Sequence, residues 1–135
     1  MSLRAQKEED ERTRLLRLIG ADPSISQREI ARHLGLSVGK VHYLLKALAD
    51  KGIVKVHSFK NSQSKIGYAY YLTPRGIGEK ARLTRRFLLR KLAEYDALSE
   101  DIEMLRREVA SDPDGGTADV DRAAGSLWTT SDGPL

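Results

Sequence analysis

The sequence predicts a mainly α-helical fold with one small β-hairpin and a single long helix near its C-terminal end. Three features predict it. Two short runs with helical period, residues 26–34 and 37–50, are separated only by Gly35 and Leu36. The period then changes to a β-branched, partly alternating pattern over residues 53–59. Finally, residues 75–110 contain no proline and carry apolar residues at heptad spacing.

Residues 1–11 are polar and mostly acidic and are expected to form a flexible N-terminus. A first helix is predicted from Arg12 to Ile19, with Leu15, Leu16, Leu18 and Ile19 on its apolar face. Gly20 to Pro23 ends it, because proline biases the preceding Asp22 away from helical backbone.

The next two helices form the centre of the fold. Ser26 followed three residues later by Glu29 is a capping box, and Ile30, Ala31 and Leu34 give the helix behind it one apolar face. Gly35 closes that helix, since glycine takes left-handed backbone without a Cβ penalty. Ser37 caps the second helix, and Val41, Leu44, Leu45 and Leu48 fall at i, i+3, i+4 and i+7. Gly52 stops it, with Ile53 placed for the hydrophobic contact of such a stop. A helix, a short turn and a second helix make a helix-turn-helix unit. The other face of the second helix presents Gly39, Lys40, His42, Tyr43 and Lys46, with no carboxylate before Asp50. The alternative to nucleic-acid contact is an ordinary solvated helix face; the missing acids favour contact. Gly39 weakens the helix by roughly a kcal/mol relative to alanine, a cost consistent with close approach of another backbone.

After Gly52, residues 53–59 and the tyrosine-rich residues 68–72 read as two strands joined by a polar basic loop, residues 60–67. Placed directly after a helix-turn-helix, this hairpin is the wing of a winged helix. Lys60, Asn61, Gln63, Ser64 and Lys65 put hydrogen-bond donors on its tip, suited to phosphate or to the degenerate readout of a minor groove. Thr73 and Pro74 then restart a helix as N-cap and first helical residue. Residues 74–110 would extend roughly 55 Å at 1.5 Å per residue, too long for so small a domain to bury. Leu88, Tyr95, Ile102 and Val109 occupy one heptad position and Leu98 and Leu105 the other, which predicts a coiled-coil seam between two copies of the chain. Asp101 and Arg106 would meet across a parallel pair. The alternative is an amphipathic helix folded back on its own domain. Residues 111–135, rich in Asp, Gly, Ser and Thr, are expected to form a disordered acidic tail.

Charge is distributed unevenly. Between Arg12 and Lys91 there are 18 Lys or Arg and 4 acids, whereas the stretch from Ser111 onwards has 5 Asp and 1 Arg. A basic middle is the footprint of a phosphate-neutralising protein, although an anionic membrane surface or an acidic partner attracts the same charge. No apolar run approaches the ~18 residues of a membrane span, and the first residues lack the apolar core of a signal peptide. Cysteine is absent, which removes disulfides and thiolate metal sites. These features fit a cytoplasmic chain. No nucleophile constellation or glycine-rich phosphate loop stands out, and His33, His42 and His57 are scattered, so neither an enzyme, a metal site nor a cofactor is expected.

The order of helix, helix-turn-helix, wing and long helix, with the junction Tyr70-Tyr71-Leu72-Thr73-Pro74-Arg75-Gly76, resembles the MarR-type winged-helix transcriptional regulators. The stretch NSQSKIGYAYYLTPRGIGEKARLT and the single long C-terminal helix are similar to a bacterial subgroup associated with exopolysaccharide gene clusters. The resemblance covers roughly residues 10 to 110. It implies a homodimer on a pseudo-palindromic double-stranded DNA operator. By position it places Ser37, Gly39, Lys40, His42, Tyr43 and Lys46 in a base-reading helix, and Ser26, Gln27 and Arg28 where the preceding helix meets phosphate. The pattern departs from the family in its short N-terminal segment, and no small-molecule site is visible. The expected organisation is therefore residues 12–73 as the winged helix-turn-helix, 74–110 as the dimerisation helix and 111–135 as the tail. The competing function is a winged helix used as a protein-interaction scaffold through its coiled coil.

Overall fold

The structure, a computed structural model, describes residues 1–60, 66–113 and 117–129. Its elements in chain order are α1 (Leu3–Ala21), α2 (Gln27–Leu34), α3 (Val38–Asp50), β1 (Val54–Lys60), β2 (Ile66–Leu72), α4 (Pro74–Ala110) and α5 (Ala118–Thr129). The chain divides into two compact units, Met1–Leu89 and Arg90–Leu135. The mainly helical class, the antiparallel hairpin and the long helix are as the sequence predicts.

In the first unit one core joins every element. Leu15, Leu16 and Ile19 of α1 meet Ile30 and Ala31 of α2, Val41, Leu45 and Leu48 of α3, Ile53, Val54 and Tyr70 around the hairpin, and Leu83 of α4. Each fully buried leucine or isoleucine contributes roughly 1.5–3 kcal/mol of transfer free energy. The β1–β2 pairing runs from Val54 opposite Leu72 to Lys60 opposite Ile66. Val54, Ala69 and Tyr70 are its buried residues, so the hairpin packs at its base and stands free towards its tip.

The stops and starts are formed by the predicted residues. Ser26 Oγ accepts from the Glu29 N–H at 3.1 Å, and Ser37 Oγ from the Lys40 N–H at 3.1 Å. Gly35 and Gly52 take φ of 68° and 71°. After α3 the Ile53 N–H donates to the Leu48 carbonyl and the Gly52 N–H to the Ala49 carbonyl, both at 3.0 Å. This is the Schellman closure, and it delivers Ile53 into the core. Thr73 Oγ1 accepts from the Gly76 N–H at 3.0 Å and donates to the Gly52 carbonyl at 2.5 Å, so the α4 cap is also tied to the end of α3. A Cβ at Gly76 would run into the Ile53 carbonyl, which is why the start of α4 sits so close to β1.

The N-terminus departs from expectation. Helix α1 begins at Leu3, not near Arg12, with Ser2 Oγ accepting from the Ala5 N–H at 3.1 Å. Glu9 is buried, and its carboxylate meets Arg86 Nε of α4 at 2.9 Å; Thr13 Oγ1 donates to the Glu9 carbonyl at 2.8 Å. An acidic residue is drawn inside by a cation 77 positions away, a compensation that local composition does not reveal.

The second unit holds the remainder of α4 and the helix α5. The expected disordered tail is thus helical over Ala118–Thr129. Asp119 and Asp121 lie in its first turn, where their charge complements the helix dipole, and the Asp121 N–H donates to the Thr117 carbonyl at 2.9 Å. Val120 lines a hollow of about 210 Å³ with Ile102, Leu105, Arg106 and Val109 of α4, the apolar contact that a reading by composition misses. Among the described residues no helix is long and apolar enough to cross a membrane.

Candidate nucleic-acid interface

Helix α3 divides its residues sharply. Val41, Leu45 and Leu48 are buried and Leu44 packs on the core, which turns the opposite face outward. On that face His42, Tyr43 and Lys46 are exposed, Tyr43 at 66%. Lys40 is half-buried, with its Nζ 5.4 Å from the centre of the Tyr43 ring. That cation–π contact orders two long side chains on one helix turn. A Cβ at Gly39 would meet nothing within 4 Å, and Gly39 does not have positive φ. Neither packing nor backbone conformation within the chain therefore requires glycine there.

The elements flanking α3 frame this face. Ser26 and Arg28 are exposed at the start of α2, with the Ser26 oxygen engaged as the cap acceptor. The side chain of Gln27, a residue expected where α2 meets phosphate, is engaged within the chain. It is half-buried, and its Nε2 donates to the Tyr70 hydroxyl at 2.9 Å and lies 3.5 Å from His42 Nδ1. Tyr70 itself is buried, and its N–H donates to the Pro23 carbonyl at 2.9 Å, which ties β2 to the α1–α2 connection. Between α3 and the hairpin lies a cleft of about 420 Å³ lined by Gln27, His42, Leu45, Lys46, Ala49, Val56, Tyr68 and Tyr70. Lys60 is exposed at the end of β1. The remaining expected wing residues, Asn61, Gln63, Ser64 and Lys65, lie outside the described residues.

Sequence reasoning missed the role of Tyr70 and the inward turn of Gln27. The partners of Gln27 lie 15 and 43 positions away, and no local pattern links them. Among the described residues no cluster of His, Asp or Glu is arranged to hold a metal, and His33 and His57 are exposed on separate elements.

A helix, a helix-turn-helix with an exposed basic second helix, a two-stranded hairpin and a following helix define the winged helix-turn-helix fold. The family model described as winged helix-turn-helix DNA-binding matches residues 10–55 of this chain. An HTH-type transcriptional regulator of Pyrococcus furiosus, itself uncharacterized, is 30% identical over 79 residues, which is 57% of this chain and 53% of that protein. The chain thus spans about half the length of this curated relative. Among solved structures, a PadR-like transcriptional regulator from Bacillus cereus is similar with a TM-score of 0.57 at 14% identity, over 64% of this chain and 89% of that one. The PcaV transcriptional regulator from Streptomyces coelicolor is similar with a TM-score of 0.54 at 20% identity, over 75% and 76%. At these identities the structural likeness shows the shared fold.

Proposed function

We propose that this chain is a sequence-specific DNA-binding transcriptional regulator that acts as a homodimer on a pseudo-palindromic operator. The observation that carries the reading is the outward face of α3: Lys40, His42, Tyr43 and Lys46 project from a helix whose opposite stripe is buried, with no acid before Asp50. An α-helix fits the B-DNA major groove, where base edges present distinguishable donors and acceptors. In this reading Lys40, His42, Tyr43 and Lys46 contact bases, Ser37 and Gly39 allow close approach, and Ser26, Arg28 and Lys60 meet phosphates. The matched DNA-binding family model and the regulator relatives support it.

Homodimerisation through α4 is part of the same proposal. Leu88, Tyr95, Leu98, Ile102 and Leu105 are exposed in the single chain, an apolar stripe that a second copy would cover, while Ile102, Leu105 and the half-buried Val109 also line the hollow beside Val120. In the heptad register Glu94, Asp101 and Glu108 share one flanking position. Antiparallel helices would set these acids against one another, whereas parallel helices pair Asp101 with Arg106 of the second copy. Two recognition helices related by that axis would sit roughly 34 Å apart, on half-sites ~10 bp centre to centre. The control of exopolysaccharide-type genes rests on the resemblance of the wing-to-α4 stretch alone. A regulator of this kind works in the cytoplasm, with no catalytic step and no cofactor.

The test is a gel-shift series with Lys40→Ala and His42→Ala on a selected site. Each is expected to weaken specific binding by roughly 1–3 kcal/mol while leaving weak, salt-sensitive binding to random duplex. Unchanged sequence preference in both variants refutes the base-reading role.

A further inference from the structure

The Gln27 carboxamide sits at the point where three elements meet. It is the first residue of α2, and its Nε2 reaches the Tyr70 hydroxyl of β2 at 2.9 Å and Nδ1 of His42 on α3 at 3.5 Å. A carboxamide nitrogen carries two hydrogens, so it can donate to both groups at once. An imidazole nitrogen that accepts a hydrogen bond carries no proton, and in the neutral ring the proton then sits on the other nitrogen. With Gln27 Nε2 donating to Nδ1, the proton of neutral His42 would lie on Nε2. If the carboxamide were turned over, its oxygen would face His42 and require Nδ1–H instead. The orientation of Gln27 and the tautomer of His42 are therefore one variable. Tyr70 holds the carboxamide in place: its ring is buried at 4% exposure and its backbone is held by Pro23, so its hydroxyl, which can donate or accept, is a stationary partner for Gln27.

We propose that Gln27 is a positioning residue that fixes the tautomer of His42, so that His42 presents an Nε2–H donor to base-edge acceptors in the major groove. The inference rests on the reading of α3 as the base-reading helix. Donors on a protein select N7 and O6 of guanine, N7 of adenine or O4 of thymine, and an acceptor would select the exocyclic amines instead. Gln27 thereby sets the polarity of one readout position without touching DNA, and Tyr70 transmits the placement of the hairpin to the same ring.

The experiment combines two measurements on the full-length chain. Long-range 15N–1H spectra of the imidazole, recorded on free protein at a pH where His42 is neutral, report which ring nitrogen is protonated. Wild type should show Nδ1 bare and Nε2 protonated. Gln27→Ala should give a mixture, and Gln27→Glu, whose carboxylate only accepts, should move the proton to Nδ1. Tyr70→Phe, which keeps the buried ring, should shift the balance in the direction of Gln27→Ala. Selection of bound sequences should then show discrimination falling at one base pair per half-site in Gln27→Ala, by roughly two- to tenfold, the scale of one hydrogen bond. The other positions should be unchanged, and His42→Ala should lose the same position. The same tautomer balance in wild type and Gln27→Ala, or a protonated Nδ1 in wild type, overturns the assignment. So does an unaltered base preference in Gln27→Ala when DNA is bound. A tautomer shift in a protein that binds no specific DNA overturns the regulator reading and removes the readout role, leaving only the contact between Gln27 and His42.

Discussion

The two ends of α4 are built from similar residues in different surroundings. Leu83 is fully buried in the core of the first unit, while Leu98 and Leu105 in the second are each 58% exposed. The first end is fixed by the Thr73 cap, the close approach at Gly76 and the Glu9–Arg86 pair. The second carries a regular apolar stripe with the Lys91–Glu94 and Arg107–Glu103 pairs on its surface. Leu83 is satisfied within the chain, whereas Leu98 and Leu105 have the heptad spacing that the proposed function assigns to a second copy. The same helix thus serves folding at one end and, in the proposed function, assembly at the other.

The largest effect that would break this contrast is expected from Leu98→Asp. Removing two leucines from a dimer seam costs roughly 3–6 kcal/mol, a hundredfold or more in dissociation constant. Sedimentation equilibrium should show monomers, with the thermal unfolding of the first unit unchanged. An unaltered dimer would place assembly elsewhere. Next in size is Leu16→Ala, which opens a cavity in the first core and should lower unfolding free energy by about 2–5 kcal/mol in urea titration. Its dimer, if the two ends are independent, should survive conditions short of unfolding.

A smaller and more telling substitution is Gly39→Ala. The site has open space and ordinary backbone, so alanine should stabilise the protein by up to ~1 kcal/mol. Specific DNA binding should weaken at the same time, because the added methyl stands on the face proposed to approach the duplex. A variant that is more stable and binds as tightly as wild type would show that Gly39 is not kept for contact. The smallest effect concerns Glu79. Its carboxyl is held below the usual carboxylate range, first by the Arg82 hydrogen bond and then, after an opposing effect of burial, by the charges of Arg82, Arg12 and Arg75. A depressed carboxyl stabilises the fold at neutral pH, and that contribution disappears as pH falls through its folded value. Glu79→Gln should therefore be slightly less stable than wild type at pH 7 and equal to it in acid, measured by thermal unfolding at both pH values.

The sequence made the middle of the molecule readable because its signals there are local. Ser26, Ser37 and Thr73 cap the helices they precede, and Gly35 and Gly52 take the positive φ their positions require. The apolar stripe of α3 faces inward as its spacing predicts. What was not readable depends on partners distant in sequence. Glu9 looks like part of a solvated acidic terminus until Arg86 is placed beside it. Nothing near Gln27 in the sequence shows that its carboxamide reaches Tyr70 and His42. Helix α5 was hidden for another reason: Val120, Leu127 and Trp128 are the only large apolar residues in a segment rich in Asp, Gly, Ser and Thr, too few for a periodic signal. The candidate site divides in the same way, since exposure of the α3 face followed from spacing whereas the arrangement holding His42 did not.

The central claim is that the outward face of α3 reads base edges, in duplicate, from a two-fold dimer. Selection of bound duplexes from a random pool, run in parallel on wild type and on a Lys40→Ala, His42→Ala double variant, tests it most directly. Wild type is expected to select an inverted repeat with half-sites ~10 bp apart, and the variant to lose that motif. Recovery of no motif by wild type, or of the same motif by both proteins, would contradict it.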